Sequence, residues 1–348
     1  MTGKWPARVR GRLGERGAPL LVLVGLLALM VVPLTVMPAA RCAVFDSGCH
    51  RPSARAHADP PSRPVRPLTP VEAATGGAYV ALGDSYSSGV GAEDGLADRN
   101  PLGCHRTSRA YYHAVAKAFP FAKGAGFWAC SGATTADVRR GKSGEPPQLD
   151  RLGPDTSLVT ISVGGNDVGF SRVLAGCVVK LPWSGSCAEQ GAGIAPRLAA
   201  LRQSLPALLD EITRRAPRAR VVVLGYPRAF SEVNGAMGDN ITVEDQRWLN
   251  ARARELNELI RQAVVEADDR LVTARAAGSV EFVDAYSAFA GHEAGSADPY
   301  MNGLGVNLSA LAAEKSSFHP TAKGHEALAA LFVEQVRKGP GRPLNQYR

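Results

Sequence analysis

This chain of 348 residues lacks zinc-type CxxC spacing, any repeat of solenoid period, and any charge between Ala18 and Ala40. The first absence removes the common cysteine-rich zinc folds, and the second removes solenoids and propellers. Glycine and proline, at 37 and 24 residues, are too scarce for collagen or low-complexity sequence, while 45% hydrophobic and 21% charged residues suit a globular chain. A broad basic surface is missing too. The net charge of +8 is concentrated early: Lys4, Arg8, Arg10, Arg12 and Arg16 face only Glu15, and Arg41, Arg51, Arg55, Arg63 and Arg66 face Asp46 and Asp59. From Val71 onward the chain is nearly neutral, so nucleic acid is not an expected partner.

The uncharged stretch follows a basic N-terminus (residues 1–17) and is long enough to span a bilayer core, which takes about 20 apolar residues. Residues 18–40 therefore read as a transmembrane anchor, or as a signal peptide cleaved after the small residues Ala39 and Ala40. Under the positive-inside rule both place the remainder outside the cytoplasm, either on the cell membrane or secreted. Residues 41–76, rich in Pro, Arg and Ala, read as an extracytoplasmic linker with no core of its own. A folded domain is expected over 77–338 and a tail over 339–348.

Six cysteines suit an oxidising compartment. Locality in the chain suggests the pairs Cys42 with Cys49, Cys104 with Cys130, and Cys177 with Cys187.

Within the domain, short apolar runs at 79–82, 126–129, 158–163, 221–224 and 281–283 read as strands. Between and after them, 108–119, 195–215, 243–267 and 321–338 carry apolar residues at helical spacing. Such alternation predicts a parallel sheet with helices on both faces, and in such sheets a site lies beyond the carboxyl ends of the strands.

Three of those strand ends are chemically unusual. Gly83-Asp84-Ser85-Tyr86-Ser87-Ser88-Gly89 sets a serine in a tight turn, where hydroxyl and backbone N–H reach one space. Acyl transfer needs that pairing, because attack creates an oxyanion beside the attacking oxygen. A helix-capping serine would use the same residues. Cys130-Ser131-Gly132-Ala133-Thr134 offers a glycine whose N–H can approach a ligand closely. Gly164-Gly165-Asn166-Asp167 offers the Asn166 side-chain amide as a donor, against the alternative of a simple Asx-turn. Of the seven histidines, His319 in Phe318-His319-Pro320-Thr321 stands in a loop before the last helix, a position suited to a general base.

These blocks, in this order and at these spacings, resemble the motifs of the SGNH hydrolases, or GDSL esterases and lipases, over about residues 77–338. CHRTSRAYY, GYPRAF and FAGHE extend the resemblance to the secreted actinobacterial lipase-like branch. It implies a flavodoxin-like three-layer α/β/α sandwich with a central parallel sheet. It also implies Ser85 as nucleophile, His319 as general base, and an oxyanion hole made by the N–H groups of Ser85 and Gly132 with Asn166. The pairs Cys104 with Cys130 and Cys177 with Cys187 fall where that branch has disulfides.

The family pattern has an aspartate three residues before the histidine, where this chain has Ser316. A serine side chain cannot supply the orienting carboxylate. Some members of the branch are similar in using a main-chain carbonyl, which assigns that role to the carbonyl of Ser316 in a Ser85–His319 dyad; Asp298 and Asp284 are the carboxylates that would make a triad instead. The expectation is an esterase or lipase acting on a small-molecule or lipid ester, monomeric, without metal or organic cofactor. A deacetylase of cell-envelope glycans and a catalytically silent membrane-tethered binding domain are the alternatives. The segment 170–183 is expected to wall the pocket.

Overall fold

The computed structural model describes residues 67–92, 103–178, 186–235, 241–307 and 312–344. The chain divides into two units, Met1–Val65 and Arg66–Arg348, and every described residue belongs to the second. The proposed segment 18–40 and the pair Cys42 with Cys49 therefore lie outside the described residues, as do His50 and His57. Among the described residues no helix is long and apolar enough to cross a membrane.

Five strands form the central sheet: β1 (Ala78–Gly83), β2 (Ala125–Phe127), β3 (Thr156–Ser162), β4 (Arg220–Leu224) and β5 (Ser279–Val283). Their order is β2-β1-β3-β4-β5 and every pairing is parallel, the flavodoxin-like arrangement. All seven residues of β3 and all five of β4 are buried. That is why they read as near-continuous apolar runs rather than as alternating ones. A small antiparallel ribbon joins β6 (Val306–Asn307) to β7 (Ala312–Ala313).

The helices are α1 (Pro70–Thr75), α2 (Ser85–Ser88), α3 (Tyr111–Ala118), α4 (Thr135–Arg140), α5 (Phe170–Val178), α6 (Ile194–Arg215), α7 (Val243–Thr273), α8 (Ala285–Ala288) and α9 (Ala322–Lys338). Helices α1 and α3 pack with α9, and α4 and α7 pack with α6, so a helical layer covers each face of the sheet. In α7, Leu249, Leu256, Leu259, Ile260 and Ala263 form the buried stripe that drives the packing. The helix runs six residues beyond the end predicted from that stripe, to Thr273.

Two boundaries differ from the sequence reading. The linker was expected to extend through Gly76, yet Thr69 and Glu72 form a capping box that starts α1, and Ala73 and Ala74 are buried. Small side chains suffice there because the helix lies close against the sheet. The tail expected from Gly339 is also folded in part: Leu344 is buried and bridges Leu68, and Arg342 pairs with Asp268 at 2.6 Å. At the last helix, Thr321 is the cap, accepting from the Gly324 N–H, and Pro320 stands just before it.

Arg220 and Glu281, both buried, pair at 2.6 Å between β4 and β5. Arg220 also donates to the carbonyls of Pro70, Gln335 and Val336, so the pair ties the first residue of α1 and the last turn of α9 to the amino end of β4, opposite the motifs.

Candidate active site

The ends of β1 and β3 meet where the strand order reverses, the position at which open α/β sheets leave a crevice. Ser85 is the first residue of α2, directly after the cap Asp84, whose carboxylate accepts the Tyr86 N–H at 3.0 Å. An N–H in the first turn of a helix has no intrahelical acceptor, so that of Ser85 is available to a ligand. Asp84 is buried and also accepts from Ser162 Oγ at 2.6 Å and Tyr226 Oη at 2.5 Å. Burial pushes its carboxyl pKa up to about 6 against those hydrogen bonds.

His319 Nε2 lies 2.8 Å from Ser85 Oγ. The ring is held by its surroundings: Tyr86 packs against it with centroids 5.0 Å apart and donates its hydroxyl to the Phe318 carbonyl. Asn302 Nδ2 donates to the carbonyls of His319 and Gly91, at 3.0 and 2.9 Å. The enclosure disfavours the imidazolium and lowers the pKa to about 4, even though a hydrogen bond to the Ser317 carbonyl works in the opposite direction.

That hydrogen bond corrects one expectation. Nδ1 of His319 meets the carbonyl of Ser317 at 3.0 Å, not that of Ser316. Phe318 adopts φ +59, a turn that brings the nearer carbonyl round to the ring. The Ser316 carbonyl instead accepts the main-chain N–H of His319 at 3.1 Å, and the Ser316 hydroxyl donates to Glu314. Neither carboxylate considered for a triad is committed to His319. Asp298 pairs with Lys323 at 2.5 Å, and Asp284 accepts from Ser287 as the cap of α8.

Gly132 and Asn166 line the same cavity as Ser85 and His319. Gly132 has φ +72, a conformation that suits glycine and leaves no Cβ over the site. Asn166 Nδ2 donates to the Ala133 carbonyl at 3.1 Å, and Asp167 accepts from the N–H and hydroxyl of Thr135, the first residue of α4. These contacts fasten the loops bearing Gly132 and Asn166 to each other. Gly165 lets that loop approach Tyr226, since a Cβ there would lie 2.9 Å from the Tyr226 ring. The bridges Cys104–Cys130 and Cys177–Cys187 are formed, the first beside the loop of Gly132 and the second at the end of α5.

The cavity has a volume of about 580 Å³ and two unlike halves. Phe170, Leu174 and Val178 of α5, with Leu249, Ala253 and Leu256 of α7, give an apolar half. His105, Ser131, Lys142, Ser143, Glu314 and Lys315 give a polar one. The expected wall of 170–183 is thus contributed as far as Val178, and residues 179–185 lie outside the described residues. Of the remaining histidines, His113 bonds the Thr107 carbonyl, His292 stacks on Tyr300, and His325 is buried against Tyr111.

Tyr86, Asn302, Tyr226, Thr135 and Ser317 were not singled out by the sequence. Tyr86 and Tyr226 stood inside quoted blocks, so position in a motif was a usable signal for them. For Asn302 the sequence carries none.

An imidazole nitrogen at hydrogen-bond distance from a serine hydroxyl, with donors converging nearby, is the equipment of acyl transfer. A parallel sheet in this order bearing that cluster defines an ester hydrolase of the SGNH type. Residues 81–327 match the GDSL-like lipase/acylhydrolase family, and the chain belongs to it. It is 37% identical over 252 residues to a lipase of Streptomyces rimosus, a match covering 71% of this chain and 81% of that protein. Among solved structures, a phospholipase A1 from Streptomyces albidoflavus aligns with a TM-score of 0.62 at 32% identity, over 74% of this chain and 99% of that one. An extracellular lipase from Streptomyces rimosus aligns with a TM-score of 0.57 at 34% identity, again over 74% and 99%.

Proposed function

We propose that this protein is an extracytoplasmic serine esterase of lipase type, working through Ser85 and His319 with the Ser317 carbonyl in place of an acid. The observation that carries this reading is the 2.8 Å contact between His319 Nε2 and Ser85 Oγ. His319 takes the Ser85 proton as Oγ adds to the ester carbonyl, and the oxyanion is met by the N–H groups of Ser85 and Gly132 and by Asn166 Nδ2. The imidazolium, steadied by its Nδ1–H bond to Ser317, then gives the proton to the departing alkoxide, leaving an acyl-enzyme. Water repeats the cycle and releases the acid. No metal or organic cofactor enters these steps.

The apolar half of the cavity favours fatty acyl chains over acetyl groups, because an acetyl group would leave the apolar side chains of α5 and α7 mostly uncontacted. This argues against the glycan deacetylase reading, and the assembled Ser85–His319 pair argues against a silent binding domain. Export is supported by two disulfides and by the extracellular description of the Streptomyces rimosus structure. The uncharged segment 18–40 would serve as signal peptide or as membrane anchor, and the catalytic unit would act as a monomer. The test is hydrolysis of p-nitrophenyl esters from acetate to palmitate by the wild type and Ser85→Ala. The wild type should prefer medium or long chains and Ser85→Ala should be inactive; a preference for acetate would move the reading to the deacetylase.

A further inference from the structure

We infer that Asn257 is a positioning residue for the oxyanion hole, acting from α7 through Tyr226 on the residues that precede Ser85 and Asn166. The inference rests on the mechanism proposed above, and it concerns a side chain that touches neither of the reacting groups.

Strand β4 ends at Leu224, and Gly225 makes the last contact with the sheet, its N–H donating to the Val283 carbonyl at 2.9 Å. Tyr226 follows and is buried, so its main-chain N–H and carbonyl need partners that the sheet no longer supplies. One side chain provides both. Asn257 Oδ1 accepts the Tyr226 N–H at 2.7 Å, and Asn257 Nδ2 donates to the Tyr226 carbonyl at 2.7 Å. An asparagine amide sets an acceptor and a donor side by side, the complement of a residue's own N–H and C=O. Gly225 leaves room for it, since a Cβ there would lie 2.6 Å from Phe282 and 3.3 Å from Asn257 Oδ1.

A clamp on the main chain of Tyr226 fixes where its hydroxyl lies. That hydroxyl donates to Asp84, the cap directly before Ser85, and accepts the N–H of Gly165, directly before Asn166. Both partners adjoin a donor assigned to the oxyanion. Helix α7 thus sets the spacing of two donors that it does not itself carry.

The same helix carries a second clamp, which separates positioning from packing. Asn250, about two turns earlier, holds Phe230 in the same two-point manner, accepting its N–H at 3.2 Å and donating to its carbonyl at 2.8 Å. Both amides are buried, but Asn250 lines the cavity and Asn257 does not. Phe230 packs on Phe318 with ring centroids 5.1 Å apart, so Asn250 addresses the loop of His319. Loss of either clamp strands one main-chain N–H and one carbonyl. Only the loss at Asn257 reaches Gly165 through a hydrogen bond.

The experiment compares Asn257→Ala with Asn250→Ala in the full chain, by amide hydrogen exchange and by hydrolysis of p-nitrophenyl octanoate. Exchange at Gly165, measured against the amides of β4 that report global opening, should quicken about ten-fold in Asn257→Ala and stay near the wild type in Asn250→Ala. In Asn257→Ala kcat should fall about ten-fold with KM little changed, because the displaced donors act on the transition state. In a chain already bearing Asn166→Ala, that factor should shrink to about a third or less, while any effect of Asn250→Ala on kcat should carry over whole. Asn257→Asp, isosteric and retaining the acceptor, takes the place of Asn257→Ala where the latter does not fold, and the same outcomes apply to it. Gly165 exchange that is unchanged, or quickened equally by both variants, overturns the proposal, as does a kcat factor undiminished by Asn166→Ala. Quickened exchange confined to Asn257→Ala, in a chain that hydrolyses no ester, would keep the positioning role and reject the hydrolytic reading.

Discussion

Tyr226 donates its hydroxyl to the buried carboxylate of Asp84 across 2.5 Å while accepting the Gly165 N–H at 2.8 Å. One phenol thereby joins the end of β4 to the turn that carries Ser85 and to the loop that carries Asn166. Tyr226→Phe keeps the ring but strands both partners. The variant should lose about 1–3 kcal/mol of stability, the usual consequence of leaving a buried polar group unpaired. Urea unfolding gives the value, and a change below about 0.5 kcal/mol, as for an ordinary surface substitution, would refute the coupling.

Asp84 predicts a pH dependence of stability. Its pKa, raised to about 6 chiefly by burial, exceeds the ordinary 3.8 it regains on unfolding. The folded state therefore holds the proton more tightly. Its contribution is complete below pH 4 and is lost as pH rises through 6. Asp84→Asn should flatten the slope of unfolding free energy between pH 4 and 6, and an identical slope in the variant would assign the dependence elsewhere.

For His319 the sign is reversed. With its pKa lowered to about 4 by burial, the imidazole remains an uncharged base well below pH 6.5. The acid limb of kcat/KM should accordingly fall near pH 4, and a midpoint near 6.5 would contradict the enclosure of the ring. Nitrogen-15 NMR at pH 7 should find the proton on Nδ1, facing Ser317. Ser316→Ala, which alters only a side chain directed at Glu314, should retain activity within a few-fold, whereas His319→Ala should abolish nearly all of it.

Under the proposed mechanism, Asn166→Ala removes a donor that acts mainly on the oxyanion. Turnover should fall by about 10²- to 10³-fold with the unfolding midpoint little changed. Full turnover in this variant would dismiss Asn166 from the site.

The sheet and the strand-end motifs were legible because their physics is local. Val221 to Leu224 read as a strand because burial on both faces demands an unbroken apolar run, and Gly164-Gly165 read as a turn because few other residues bend so sharply. Asn302 was not legible, since it matters only through its partners Gly91 and His319, and Tyr226, although inside a quoted block, shows its role only through Asp84, distant in the chain. The identity of the carbonyl at His319 was hidden for another reason. Ser316 and Ser317 are alike in sequence, and only the left-handed backbone at Phe318 decides which faces the ring.

The wall of the apolar half has a consequence for how this enzyme can be altered. Phe170, Leu174 and Val178 hang on one helix of nine residues, closed at its far end by Cys177–Cys187 and contributing neither Ser85 nor His319. On the proposed reading, the part of the acyl wall contributed by this helix can be altered without touching the reacting pair. Exchanging Phe170, Leu174 and Val178 for larger or smaller apolar residues should shift the preferred chain length while leaving the reacting groups where they are.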